Sequence, residues 1–198
     1  MSMLYSESMS HTAAEGPRRH RYTVADYYRM GDAGILAPDA RVELIDGEVI
    51  DMAPPGHPHA GTVDQLALAL SSALSGRAHV RVQNPLRLDD HSEPQPDVSV
   101  LRRRPDFYKS GHPRPRDTLL VVEVADTSLL FDRDDKIPLY ARHGIPEVWL
   151  VDLKAKRLVR YRSAQQGAYA LIDQPDLGSR LEIASLPEAR IDLSGLYS

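Results

Sequence analysis

One carboxylate lies inside the most apolar segment of the chain, and it constrains the fold more than any other feature. Residues 119–125 read Leu-Leu-Val-Val-Glu-Val-Ala, which is typical of a strand covered on both faces. Because side chains alternate along a strand, Glu123 shares a face with Val121 and Ala125. An unpaired buried carboxylate costs on the order of several kcal/mol. The fold must therefore supply a cation, a basic side chain or a raised pKa at Glu123.

A second acid, Asp97, has similar surroundings, because extended and largely apolar residues flank it in Pro96-Asp97-Val98-Ser99-Val100. If the two strands are neighbours and both acids point to one face, they can reach one hard divalent cation. Such a cation polarises a phosphoryl oxygen and lowers the pKa of a bound water. Lys136, near the start of a predicted helix over residues 132–143, could stabilise the developing negative charge.

Each of these residues also has a purely structural interpretation. Glu123 could pair with a buried arginine, Asp97 could close a turn after Pro96, and Lys136 could form a helical ion pair with Asp132. Structural ion pairs are common, so spacing alone favours these interpretations.

The remaining patterns predict one α/β domain over residues 22–198 after a disordered arm over residues 1–21. Asp46-Gly47 accepts the positive φ angles of a two-residue turn and predicts a hairpin. Helices are predicted after Thr23 and over 59–74, and strands over 80–88, 96–101, 118–125, 146–153, 157–162 and 168–172, the last three as a β-meander.

Composition excludes several function classes. The 198 residues contain no cysteine, so disulfides, thiolate zinc sites and thiol nucleophiles are excluded. No apolar segment has the length of a membrane span, so a cytoplasmic protein without a membrane partner is expected.

The net charge of -4 argues mildly against a protein that coats nucleic acid. Residues 98–116 nevertheless carry one acid, Asp106, among basic side chains that could contact phosphate or form a solvated loop. The basic residues are Arg102, Arg103, Arg104, Lys109, Arg114 and Arg116.

Several segments together resemble the bacterial Uma-two family, which is labelled a family of restriction endonucleases. The similar segments are residues 42–48, 96–98, 121–128, 135–142 and 144–152. They occur in the same order as in the family, and the resemblance covers roughly residues 22–196.

The resemblance implies the PD-(D/E)XK nuclease fold, a central mixed β-sheet flanked by helices, to which the predicted N-terminal hairpin and C-terminal meander are additions. It implies that Asp97 and Glu123 are the catalytic acids. Ala125 stands where the superfamily usually has its lysine, and the family's relocated lysine corresponds to Lys136. Glu43 matches a recurring acid and is expected to be a further metal ligand or to support one.

The leading hypothesis is a Mg²⁺- or Mn²⁺-dependent endonuclease that hydrolyses DNA and acts as a homodimer. Asp97, Glu123 and Glu43 would hold the metal, Lys136 would assist, and Arg102, Arg103, Arg104 and Lys109 would bind DNA. One alternative is a non-catalytic module that binds nucleic acid or protein. Another is a metal-dependent hydrolase of a different phosphate ester.

Overall fold

The computed structural model describes residues 18–197. The helices are α1 (Val24–Asp32), α2 (His57–Ala73), α3 (Leu129–Phe131) and α4 (Ile137–Arg142). The strands are β1 (Val42–Ile45), β2 (Glu48–Asp51), β3 (Ala78–Val82), β4 (Val98–Arg102), β5 (Thr118–Ala125), β6 (Glu147–Asp152), β7 (Arg157–Gln165), β8 (Ala168–Asp173), β9 (Leu181–Ile183) and β10 (Leu186–Ile191). A π-helical turn, Asp132–Lys136, joins α3 to α4.

The central sheet has six strands in the order β3-β4-β5-β6-β7-β8. β5 and β6 are parallel and are connected through α3 and α4, whereas the other neighbouring strands are antiparallel. β1 with β2 and β9 with β10 form separate two-stranded sheets. This architecture confirms the predicted fold class, a mixed central sheet flanked by helices with an N-terminal hairpin and a C-terminal meander.

β5 lies inside the sheet and is buried along its whole length, as its apolar sequence predicts. Its two faces pack against different helices. Leu120, Val122 and Val124 share an apolar cluster with Leu66 and Leu70 of α2. Val121 and Ala125 share a second cluster with Leu139 and Tyr140 of α4. Glu123 therefore points toward the α4 side of the sheet.

The N-terminal hairpin turns at Asp46-Gly47, whose φ angles of 49° and 82° match the predicted two-residue turn. A Cβ on Gly47 would lie 2.6 Å from the Cβ of Arg21, so this close approach requires glycine. β1 is buried throughout, and Leu44 O accepts a hydrogen bond of 2.8 Å from Glu93 N. These contacts hold β1 against the rest of the molecule.

Two predicted boundaries need correction. The strand predicted over residues 80–88 ends at Val82, because Gln83 has a φ of 47° that breaks the extended conformation. Asp97 lies immediately before β4 and not inside it.

The boundaries of the predicted arm and domain remain predictions. Residues 1–17 of the arm lie outside the described residues. Within the described part of the arm, Arg21 Nε donates a 2.7 Å hydrogen bond to Asp46 O. Among residues 18–197, no helix combines the length and the apolarity needed to cross a membrane.

Candidate active site

The ammonium group of Lys136 lies between two buried glutamates on the α4 side of the sheet. Its Nζ is 2.8 Å from Glu123 Oε1 and 3.3 Å from Glu43 Oε2. β5 supplies Glu123, the N-terminal hairpin supplies Glu43, and the π-helical turn supplies Lys136. The side chains of all three are at most 5% exposed, so each charge depends on the others for compensation.

The hydrogen bonding of the two glutamates differs. Glu123 Oε1 also accepts a 2.5 Å hydrogen bond from the Tyr140 hydroxyl. Glu43 Oε2 is buried without a hydrogen-bond partner, although it lies in electrostatic contact with Lys136. A buried carboxylate oxygen without a donor is costly, and it marks the point where a further donor or cation would be stabilising.

The protonation preferences follow from burial. Burial raises the pKa of Glu123 to about 8, although the positive charge of Lys136 opposes this shift. Burial alone would lower the pKa of Lys136, but Glu123 and Glu43 hold it well above its usual value. Lys136 therefore remains an ammonium group, and acidic side chains outnumber basic ones around it.

Asp97 lies beside Glu123 and has separate donors. Its Oδ2 accepts a 2.9 Å hydrogen bond from Val124 N and contacts His59 Nε2 at 3.2 Å. Asp97 N is 3.4 Å from Glu123 Oε2, which places the two acids next to each other. Burial alone would raise the pKa of Asp97, but the hydrogen bond from His59 and its charge lower it below its usual value.

A fourth acid, Asp132, begins the π-helical turn. It is 3% exposed, and its Oδ2 accepts a 2.6 Å hydrogen bond from Ser128 Oγ. Burial raises the pKa of Asp132 more than the charge of Lys136 lowers it. The i to i+5 hydrogen bond from Ile137 N to Asp132 O inserts an extra residue into the helix.

These groups line one cleft of about 440 Å³. Its charged and imidazole side chains are Arg41, Glu43, His59, Asp97, Glu123, Asp126, Asp132 and Lys136, so the acids outnumber the cations. Among the described residues, no group of three acidic or imidazole side chains is arranged to hold a metal ion by itself. Any metal bound there would need ligands from water or substrate in addition to protein oxygens.

The structure brings together all the acids and the lysine predicted from sequence: Asp97, Glu123, Lys136 and Glu43. Glu123 pairs with Lys136 and not with an arginine, which was the structural alternative.

Sequence analysis did not identify His59 as a site residue. The signal was present in the spacing, because residues 59, 63, 66 and 70 follow the helical period and Val63, Leu66 and Leu70 are buried. Asp132 was considered only as an ion-pair partner of Lys136.

The basic residues expected to bind DNA lie elsewhere. Arg102 Nε donates to Arg116 O at 3.1 Å, and Arg103 Nη1 donates to Gly76 O at 3.0 Å. Arg104 forms an ion pair with Asp106 at 2.6 Å, and Lys109 is exposed. β4 ends at Arg102, near the start of β5, and the segment after it contains Arg103, Arg104 and Lys109. None of these four residues lines the acidic cleft.

Comparisons with known proteins identify the family and the fold. The model of the Uma2 family, described as "Putative restriction endonuclease", matches residues 24–194. A crystal structure from Anabaena variabilis, titled as a putative nuclease belonging to DUF820, superposes with a TM-score of 0.65 at 16% sequence identity. The similarity covers 88% of this chain and 97% of that one, and it shows a shared fold. No curated protein matches the sequence.

Proposed function

From the premise that the chain belongs to the Uma2 family, we propose that it is a metal-dependent endonuclease that hydrolyses DNA phosphodiester bonds. Family membership supports a nuclease. The observation that carries the finer proposal is the convergence of Asp97, Glu123 and Glu43 around Lys136 in a cleft with excess negative charge. Such a cleft needs a cation, and a hard divalent cation prefers carboxylate oxygens.

The donor set suits Mg²⁺ or Mn²⁺ bound together with substrate. Mg²⁺ usually keeps several waters and binds through one or two carboxylates plus substrate phosphates. Asp97 and Glu123 are adjacent, and a carboxylate has more lone pairs than their present hydrogen bonds use. Glu43 Oε2 accepts no hydrogen bond, although it lies 3.3 Å from Lys136 Nζ, and it would be a further oxygen ligand within the same cleft. A bound Mg²⁺ would polarise the phosphoryl oxygen and activate a water.

The protein's own groups would position and stabilise the reacting atoms. Lys136 is held as an ammonium group at the floor of the cleft, where its charge can offset the negative charge that develops on the phosphate. Tyr140 fixes the carboxylate of Glu123 through its hydroxyl. His59 and Val124 N fix the carboxylate of Asp97. Both acids would therefore keep their orientation before substrate arrives.

A non-catalytic binding module is the second candidate, and one observation favours it. Lys136 already contacts Glu123 and Glu43, so part of their charge is compensated without any metal. The excess of acids argues for the nuclease, because five acids line the cleft against Lys136, Arg41 and His59.

We further propose that duplex DNA is the substrate and that two copies act together, so that each addresses one strand. Of the basic residues predicted to contact DNA, Arg104 would contact its backbone, whereas Arg102 and Arg103 donate hydrogen bonds to carbonyl groups of the protein.

A plasmid-nicking assay tests the proposal. Purified wild-type protein should nick supercoiled plasmid with Mg²⁺ or Mn²⁺ and lose this activity in EDTA. Asp97→Ala, Glu123→Ala and Lys136→Ala should each lower the rate by at least about 100-fold, because each removes a metal ligand or the ammonium group.

Glu147→Gln is the matched control. Glu147 is also a buried acid in the sheet, but Trp149 and Ala184 hold its carboxylate outside the cleft. This variant should keep its nicking activity at a temperature where it is folded. Equal nicking by the wild type and the Asp97 and Glu123 variants would refute the nuclease proposal and identify a contaminant.

A further inference from the structure

A second cleft, of about 480 Å³, is as basic as the first is acidic. Its lining includes four arginines, Arg87, Arg104, Arg114 and Arg116, with one acid, Asp117. Tyr28 and His112 also line this basic cleft and add groups that can donate hydrogen bonds. Converging guanidinium groups repel one another, so this arrangement favours binding of an anion.

Two of the arginines are held in place by the protein. Arg104 Nη2 contacts Asp106 at 2.6 Å and Ser110 at 2.7 Å, and its guanidinium group stacks over the Tyr108 ring at 4.5 Å. Arg87 Nη2 donates to Asp90 at 3.0 Å, whereas its Nε is buried without a hydrogen-bond partner. That unsatisfied N–H group is available to donate a hydrogen bond to an acceptor oxygen.

The other two arginines are available for binding. Within residues 18–197, the side chains of Arg114 and Arg116 form no salt bridge, and both residues are exposed. The planar guanidinium group matches the geometry of two phosphate oxygens, which makes arginine the preferred residue for binding backbone phosphate.

The basic cleft and the acidic cleft include residues near opposite ends of β5. Asp117 immediately precedes β5, whereas Glu123 lies near the other end of this strand. Glu123 lies five residue steps along the strand from Thr118, which corresponds to about 17 Å at a strand rise of ~3.3 Å. At about 3.4 Å per nucleotide along one strand of duplex DNA, that distance is roughly five base pairs.

We propose that the basic cleft binds a backbone phosphate of duplex DNA about five base pairs from the bond that the acidic cleft cuts. This inference rests on the proposed nuclease function for its ligand. It differs from the sequence-based prediction, because Arg87, Arg114 and Arg116 carry the contact together with Arg104. Arg102 and Arg103 bind backbone carbonyls, and Lys109 does not line the cleft.

The test is the salt dependence of binding to a fluorescein-labelled 30-base-pair duplex in EDTA, measured by anisotropy. The Arg114→Gln/Arg116→Gln double variant should bind more weakly at 0.1 M salt, by about 10- to 60-fold. The slope of log K against log salt should become shallower by about 1.8, or about 0.9 for each lost phosphate contact.

The control is Arg77→Gln/Arg190→Gln, which removes the same charge from arginines paired with Glu188 and Glu182 beside the β9–β10 hairpin. This control should retain the wild-type slope. An equal change of slope in the two double variants would overturn the inference, because net charge alone would then explain the effect. ATP binding that depends on Arg114 and Arg116, with an unchanged slope for DNA, would overturn it by assigning the cleft to small phosphate ligands.

The two proposals fail separately. If the wild type nicks plasmid and the Arg114/Arg116 variant keeps the wild-type salt dependence of DNA binding, only the basic-cleft proposal is contradicted. A protein that never nicks but shows the changed slope contradicts only the nuclease proposal.

Discussion

Lys136 is the residue on which the stability of the acidic cleft depends most. It is 2% exposed, and its ammonium group contacts both Glu123 and Glu43. Removing one member of a buried ion pair leaves an uncompensated charge, and this typically costs more than the pair contributes. The same lysine is therefore expected to support folding as well as catalysis.

Replacing Lys136 with methionine should destabilise the metal-free protein by about 3–5 kcal/mol at pH 8, because two carboxylates lose their cation. Urea unfolding in EDTA measures this loss. Lys154→Met, at an exposed position after β6, should change stability by less than about 0.5 kcal/mol. The Glu123→Gln/Lys136→Met double variant should recover part of the loss, and a Lys136→Met protein as stable as wild type would contradict the ion-pair account.

The raised pKa of Glu123 predicts how the stability of the protein changes with pH. An acid whose pKa is higher in the folded state than in the unfolded state binds its proton more tightly when folded. Its contribution to stability is present below its usual pKa of 4.5 and is lost as the pH rises toward about 8. The metal-free wild type should therefore lose stability between pH 5 and 8 relative to Glu123→Gln, as measured by urea unfolding at each pH.

Parallel stability curves for these two proteins would show that Glu123 does not titrate in this range. The lowered pKa of Asp97 does not interfere, because its effect lies below its usual value of 3.8.

At the scale of elements, the π-helical turn decides which side chains enter the cleft. It contains one more residue per turn than an α-helix, and it places Asp132 and Lys136 at its two buried ends. The three residues between them, Arg133, Asp134 and Asp135, are exposed. The extra residue therefore changes the direction of Asp132 relative to α4 without adding an apolar contact.

Deleting Asp134 should convert this segment to a regular α-helix and rotate Asp132 by about 100° relative to α4. The expected result is a folded protein with near-wild-type circular dichroism and at least about tenfold slower plasmid nicking. Asp134→Ala removes the same side chain and its ion pair with Arg133 without the deletion, so it should nick normally. Full activity of the deletion variant would show that the π turn has no role in catalysis.

Local elements were predictable where one pattern dominates. The apolar strand β5 and the Asp46-Gly47 turn occur as predicted, because adjacent residues determine the burial of the first and the backbone conformation of the second. The end of β3 at Gln83 and the π turn were not predicted. Each depends on tertiary contacts, such as the 3.1 Å hydrogen bond from Gln83 N to Asp97 O, that the local sequence does not specify.

At the scale of the whole molecule, the proposed binding of a metal in the acidic cleft should raise global stability. A ligand that binds only the folded state stabilises it by mass action, by about 2.7 kcal/mol at a concentration 100 times its Kd. Mg²⁺ or Mn²⁺ should therefore raise the melting temperature of the wild type and not that of an Asp97→Asn/Glu123→Gln variant. Differential scanning fluorimetry measures both.

Glu147→Gln serves as the control for this measurement, since it alters a buried acid outside the cleft. Its melting temperature should be lower than that of wild type, but the increment produced by Mg²⁺ should be the same. An equal increment in the Asp97/Glu123 variant would place the metal elsewhere.

The convergence of the site was only partly predictable. Glu123 was identifiable as a charge in an apolar run. The assignment of Asp97, Glu43 and Lys136 to the site rested on family resemblance more than on spacing. No local pattern specifies that the N-terminal hairpin lies against the π turn. His59 was missed because its partner Asp97 comes from another segment, whereas Asp132 was considered only as an ion-pair partner of Lys136.

Glu43 and Lys136 meet across 93 residues of chain, and Glu123 lies between them in sequence. During synthesis, Glu43 emerges from the ribosome well before the ammonium group that stabilises its burial, whereas Glu123 precedes that group by only 13 residues. A nascent polypeptide that stops before Lys136 therefore carries the two acids without the ammonium group that stabilises their burial. The acidic cleft can therefore be completed only after the π turn has been synthesised and has packed against the N-terminal hairpin.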